Sequence, residues 1–327
     1  MVSAHVQPAQ VTYLKDVAPI LQKRCAGCHG SGGVTPALDS YEHARAWARG
    51  IKAEVLQRQM PPWPAATGLG DYSNDPRPTP IEVEVLTAWA DGGTPLGSEN
   101  LPVGTIVPTA NREAARIVRL PRAHPSRGPV ERLRAPLSGG SMWITGWEYR
   151  PVDARAIEQV RFFVDGTHIG SWVPPDSGVT YPVGVAVPGR PGGVITAELH
   201  YRKSSRDEID AGTLRLYSGR SGDEPRYRTL ACGTTTLQQN VKVLSIAPTA
   251  SEAGAFVEVV ARRPDESVEA MAAVRHYVPT YPTTYRFRSP VNLPRGTEID
   301  VRSSASGCNA AIDFIATPPA RAVLPRP

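Results

Sequence analysis

The spacing of apolar positions changes character about a third of the way along the chain. Before residue 98 it is helical. Val17, Ile20 and Leu21 make one short stripe. A polar start at Asp39 or Ser40 caps a second predicted helix that runs to about Arg58. The third has the clearest beginning, with Thr79 as N-cap, Pro80 at the first helical position and Glu82 completing a capping box. Ile81, Val85 and Trp89 then fall on one face, and Gly92-Gly93 ends the helix.

From Leu101 onward the period shortens to that of strands. Short β-rich runs at 159–164, 194–201, 213–217, 240–244, 255–260, 284–287 and 298–301 are separated by turn residues such as Asp165-Gly166. The 33 prolines and 29 glycines among 327 residues suit many short strands joined by tight turns. The pattern predicts a multidomain chain, a small all-α domain followed by all-β antiparallel sandwiches in tandem, jelly-roll-like. The expected division is a tail at 1–10, the helical domain at 11–100, a linker at 101–110, sandwiches at 111–231 and 232–318, and a tail at 319–327. No apolar stretch reaches the roughly twenty residues of a membrane span.

The candidate chemistry lies in the helical part, at Cys25-Ala26-Gly27-Cys28-His29. A C-x-x-C-H run is the signature of covalent c-type haem attachment. Each thiol can form a thioether to one vinyl group, and the following imidazole can ligate the iron. The competing chemistries are a thioredoxin-like dithiol and half of a zinc site. Zinc would want a second Cys/His pair nearby, and a dithiol has no use for His29. One run implies one haem c.

Met60, in Gln59-Met60-Pro61-Pro62-Trp63-Pro64, is the candidate sixth ligand; it is the only methionine between Met1 and Met142. Flanking prolines stiffen that loop, and His/Met ligation suits electron-carrying cytochromes. The competing role for Met60 is core filling beside Trp63. His43, in a polar helix start, is the rival ligand. Segments 30–36 and 61–80 read as loops around the haem edge.

Residues 11–98 resemble the cytochrome c domain at the N-terminus of some bacterial two-part proteins, through Cys25–Gly30, Ser40-Tyr41-Glu42, Met60-Pro61-Pro62-Trp63 and Trp89–Gly93. In such proteins the haem domain precedes a region similar to peptidylglycine α-hydroxylating monooxygenase, a copper- and ascorbate-dependent enzyme. Here 169–174, 182–185, 199–201, 285–287 and 290–297 follow that family's scaffold. The resemblance implies copper ligands at a His-His pair, a His-x-His pair and a His-Met-His run. The matching places read Ile157-Glu158-Gln159-Val160, His200 followed by Arg202, and Pro248-Thr249-Ala250-Ser251. Only His200 is kept, so the expectation is a β platform without copper. His124, His168 and His276 have no spacing that suggests a cluster.

No nucleophile elbow, phosphate-binding glycine loop or His-Glu-x-x-His helix is present. Asp207, Glu208 and Asp210 read as a solvated polar turn, and Asp153 with Glu158 is no better placed for acid/base work. Cys232 and Cys308 remain after haem attachment. An even remainder in an oxidising compartment favours a disulfide, worth about 4 kcal/mol in the chain-entropy model; two separate thiols are the alternative.

The net charge of +5 is uneven, −2 over residues 1–100 and +7 over the rest. The basic residues are scattered without interleaved aromatics, which argues against nucleic acid. Haem attachment of this kind takes place outside the cytoplasm. Val2-Ser3-Ala4 resembles the end of a signal-cleavage site, with a mature start near His5. The sequence therefore predicts a periplasmic or otherwise exported electron-transfer subunit, working with a redox protein or a larger membrane-associated complex. The competing function is a haem-linked copper monooxygenase.

Overall fold

The computed structural model describes residues 11–30, 36–66, 68–98, 114–152, 156–174, 176–202, 208–279 and 281–317. The expected tails at 1–10 and 319–327, the whole linker at 101–110, Asp153 and Asp207 lie outside them. The chain divides into two compact units. One comprises Met1–Trp63 and Pro76–Arg112, the other Pro64–Asp75 and Glu113–Pro327.

In the first unit a π-helical turn at Tyr13–Val17 leads into α1 (Ala18–Arg24), α2 (Ala26–His29), α3 (Tyr41–Ala46), α4 (Ala48–Leu56) and α5 (Pro80–Asp91). The helix expected over 40–58 is interrupted at Trp47, which caps α3 and opens α4 with φ −105° and ψ 9°. The capping box of α5 is complete: Glu82 N–H donates to Thr79 Oγ1 (3.2 Å) and Thr79 N–H donates to Glu82 Oε2 (2.7 Å). Its inward face is carried by Leu86 and Trp89, whereas Ile81 is 73% exposed. Tyr13, Val17, Leu21, Ala44, Ile51, Leu86 and Trp89 share one core. The Tyr13 ring meets Tyr41 edge-on at 5.3 Å and Trp89 at 5.8 Å.

The second unit begins with β1 (Arg116–Arg119), β2 (Arg122–Ala123), β3 (Val130–Leu137), β4 (Met142–Arg150), β5 (Ile157–Val164), β6 (Thr167–Trp172), β7 (Gly178–Thr180), β8 (Val187–Gly189), β9 (Gly193–Tyr201), β10 (Ile209–Asp210) and β11 (Thr213–Ser218). It continues with β12 (Arg226–Ala231), β13 (Gly233–Thr236), β14 (Asn240–Ala250), β15 (Val257–Arg262), β16 (Val268–Val274), β17 (Tyr285–Leu293), β18 (Glu298–Ser303) and β19 (Cys308–Thr317). The early strands form the sheets β1-β11-β4-β7 (with β8 on β4), β3-β9-β5-β6 and the small pair β2-β10. The late strands form β12-β19-β14-β17 and β13-β18-β15-β16.

Among the described residues no sheet mixes strands before Ser218 with strands after Arg226. Alternation along the strands puts Leu133, Ile144, Trp147, Phe162, Ile195, Leu199 and Leu214 into one core between the two larger early sheets. Of the late scaffold segments, 285–287 and most of 290–297 fall on one continuous strand, β17 (Tyr285–Leu293). Strand β17 pairs with β14, while β18 pairs with β13 and β15 in the other sheet.

The expected fold class is corrected by this arrangement. The described chain is predominantly β, with five short α-helices, and its helical part is not a self-contained all-α domain preceding sandwiches in linear order. Residues 64–75, expected as a loop around a haem, belong to the β unit. They run along two sheet edges: Ala65 bridges Val274 at the end of β16, and Tyr72 bridges Phe287 on β17. Ala66 N–H donates to Ala273 O (2.7 Å), Ser73 N–H to Arg286 O (2.8 Å) and Arg288 N–H to Asp71 O (2.8 Å). Buried Tyr72 packs on Tyr285 and Phe287, and its hydroxyl donates to Met271 O at 2.7 Å. The arm thereby covers edges that would otherwise present unpaired N–H and C=O groups.

Candidate functional site

The C-x-x-C-H run folds as a single helical turn immediately after α1. Cys25 N–H still donates to Leu21 O (2.9 Å), and Cys25 O accepts from Cys28 N–H (3.1 Å) and His29 N–H (2.8 Å). Residues three and four apart on a helix share a face. Cys25, Cys28 and His29 therefore present their side chains on one side of the turn.

His29 is oriented by the chain that follows. Its Nδ1 lies 2.6 Å from Pro36 O. A carbonyl can only accept, so Nδ1 carries the proton, and in the neutral ring the lone pair is on Nε2. Such a partner on the distal nitrogen is how metal-ligating imidazoles are usually held. His29 O in turn accepts from Leu38 N–H (2.7 Å), closing the loop on the same residue.

Helix α1 is fastened to α5 just before the cysteines. Arg24 donates through Nε to Glu82 Oε2 (3.1 Å) and through Nη2 to Oε1 (3.3 Å), a forked pair. Burial alone would raise the Glu82 carboxyl. The Thr79 N–H and the Arg24 guanidinium outweigh it and hold the carboxyl below its ordinary value. One glutamate thus caps α5 and anchors the end of α1.

Cys25 and Cys28 are both thiols. Burial, reinforced by the neighbouring Cys28, pushes the Cys25 thiol up to about 12. Met60 follows α4 and is 42% exposed, which does not fit core filling beside the buried Trp63. His43 is tied by Nδ1 to Asp39 Oδ1 (2.9 Å) on the exposed side of α3.

Among the described residues no group of three or more His, Cys, Asp or Glu side chains comes together to hold a metal ion. The expectation of a metal-binding chain is corrected to that extent: protein side chains alone build no iron or copper cage there. A haem iron differs in kind, since the porphyrin supplies its equatorial donors and the protein only the axial ones.

His200 and His124 each lie beside a carboxylate. His200 Nε2 lies 3.3 Å from Glu198 Oε1, and Glu198 also holds Arg132 and Arg161. His124 Nδ1 lies 3.4 Å from Glu131 Oε1, and His276 is exposed. Glu208 pairs with Arg122 at 3.2 Å. Cys232 and Cys308 are joined by a disulfide, Cα to Cα 5.2 Å. His168 is the residue whose surroundings sequence spacing did not reveal. Its partners are Ser171, three positions along the chain, and Asp313, 145 positions away, whose other carboxylate oxygen accepts from Ser245.

No family model matches the chain, and no curated protein matches it. Among solved structures it is similar to a Paenibacillus xanthan lyase at 10% identity and TM-score 0.20, over 68% of this chain and 28% of that one. It is similar to the turret protein A223 of Sulfolobus turreted icosahedral virus at 10% identity and TM-score 0.19, over 62% of this chain and 98% of that one. A third likeness is to VP2 of infectious bursal disease virus, at 8% identity and TM-score 0.20, over 64% of this chain and 74% of that one. Likenesses this slight carry no argument about fold or function.

Proposed function

We propose that the protein is an exported electron carrier holding one c-type haem, joined through thioethers to Cys25 and Cys28, with His29 and Met60 as axial ligands. The observation that carries the reading is the C-x-x-C-H turn with His29 Nδ1 bonded to Pro36 O, which leaves Nε2 as donor. The donor set fits the group: two sulfurs and one imidazole on one face, and an exposed thioether on a proline-stiffened segment. A haem held there would supply one-electron cycling between ferric and ferrous iron. Pro36 and the loop closure at Leu38 fix the imidazole; the Arg24–Glu82 fork fixes the turn that carries the sulfurs.

The resemblance to bacterial cytochrome c domains fused to a degenerate copper-monooxygenase region belongs with this reading. The β unit then serves as a platform for a redox protein or a membrane-associated electron-transfer complex. Among the described residues no helix is long and apolar enough to cross a membrane. The Cys232–Cys308 disulfide is compatible with an oxidising compartment, and the periplasm is the proposed location.

The test is the protein expressed with haem-attachment machinery in a periplasm. Intact mass should rise by one haem that survives denaturation, and the reduced form should show a low-spin spectrum. A polypeptide of unmodified mass would overturn the reading. Metal analysis giving stoichiometric copper would turn it towards the monooxygenase. Met60→Ala leaving the low-spin spectrum unchanged would remove Met60 from the ligand set.

A further inference from the structure

The β unit contains a Ser–His–Asp constellation. His168 Nδ1 lies 2.7 Å from Asp313 Oδ1, and its Nε2 lies 3.3 Å from Ser171 Oγ. The far oxygen of the carboxylate, Asp313 Oδ2, accepts from Ser245 Oγ at 2.6 Å. An aspartate on Nδ1 sets the tautomer that leaves Nε2 to accept from the serine hydroxyl. His168 and Ser171 are buried, and both line a cleft of about 140 Å³ together with Tyr181, Ser245, Arg286 and Asp313. His168 also borders a second hollow of about 560 Å³.

The arrangement is produced by a local irregularity. Strand residues three apart ordinarily face opposite sides. The β5–β6 register shifts between Phe162, opposite Gly170, and Phe163, opposite His168, so Ile169 is an extra residue. This bulge turns His168 and Ser171 to the same side. Gly170 makes it possible: its φ is +126°, and a Cβ there would lie 3.0 Å from Trp147. The Ile169 carbonyl is clamped by Trp147 Nε1 and the Tyr181 hydroxyl, each donating at 2.7 Å. The imidazole is packed by Tyr227 at 4.6 Å and Phe163 at 5.3 Å. Arg286, paired with Asp176 at 3.0 Å, donates through Nη2 to the Ser171 carbonyl (2.8 Å) and brings positive charge to the cleft.

We propose that Ser171 is an acyl-accepting nucleophile, with His168 as its general base and Asp313 as the residue positioning His168, in a cleft sized for esters of short-chain acids. Ser171 Oγ adds to the ester carbonyl as its proton passes to His168 Nε2. The adduct then collapses, breaking the bond to the alcohol, which departs with that proton. Water, giving its proton to His168, cleaves the acyl-serine; acid is released and the hydroxyl restored. No electrons are exchanged, so this activity is independent of the haem.

The native full-length protein is treated with an alkyl fluorophosphonate and the adduct is mapped by peptide mass. The expected result is phosphonylation of Ser171, absent after heat unfolding and absent in Ser171→Ala. In His168→Gln the reaction should slow at least about 100-fold. p-Nitrophenyl acetate should give a burst of p-nitrophenol in the parent and none in Ser171→Ala. No Ser171 adduct in native protein, equal labelling after unfolding, or a folded His168→Gln labelled at the parent's rate would each overturn the proposal. The parent experiment decides even if a variant fails to fold.

Discussion

The two units carry chemistry in opposite ways. In the helical unit the haem-attachment run lies within one turn, Cys25 to His29, and a single carbonyl, Pro36 O, orients its imidazole. In the β unit His168, Ser171, Ser245 and Asp313 come from β6, β14 and β19, and meet only when the strands are paired. A site within a helical turn is specified by local hydrogen bonds. A site spread over strands is specified by register and by one bulge.

Removing the sulfurs has the greatest consequence for the helical unit. Cys25→Ala with Cys28→Ala is expected to abolish covalent haem altogether, read by intact mass and by haem staining after denaturation. Ser171 phosphonylation should be untouched. Loss of both together would mean that the β site depends on the helical one.

The next effect belongs to the β unit alone. The disulfide ties the β12–β13 junction to the start of β19 and closes a long loop. Cys232→Ser with Cys308→Ser should lower stability by about 4 kcal/mol, read as a fall in denaturant midpoint with a higher m-value, because the unfolded chain loses its cross-link. Equal midpoints for variant and parent would show that the bond constrains nothing the fold does not already hold.

A somewhat smaller loss is expected from the arm. Tyr72→Ala removes a buried ring from between Tyr285 and Phe287 and the donor to Met271 O. It should cost about 3 kcal/mol and open residues 64–75 to proteolysis, while the edges of β16 and β17 become prone to self-association. A variant that melts and digests like the parent would show that the arm is a passive connection.

How much could be read in advance follows the same division. The thiol spacing, the Thr79–Glu82 box and the runs that became β5, β9, β11 and β15 were legible, because each depends on neighbours a few positions away. Ile81 was misassigned because the α5 face is set by what it packs on: Leu86, not Ile81, reaches the core. Residues 64–75 carry the glycine and polar signature of a loop, and nothing local says that Tyr72 will be drawn to the edge of β17. The absence of a nucleophile elbow argued against acyl transfer, yet a serine beside a bulged glycine can be aimed as well as one on a sharp turn. Only the pairing of β5 with β6 shows that Ile169 is the extra residue.

The smallest expected effect tests how the helical unit holds its motif. Thr79→Ala removes one half of the capping box and should cost about 1 kcal/mol. Glu82 supplies the other half together with the fork to Arg24. Against the opposing pull of burial, those partners hold its carboxyl in the folded state below the unfolded value of about 4.3. Its stabilisation is therefore complete above that unfolded value. It is lost as pH falls through the lower folded one, because the unfolded chain takes up its proton first. Denaturant midpoints followed from neutral pH into acid should fall for the parent in this window, and Glu82→Gln should flatten that limb while starting lower at neutral pH. A variant as acid-sensitive as the parent would place the acid response on other carboxylates and reduce the Arg24–Glu82 fork to a surface pairing without hold on the Cys25 turn.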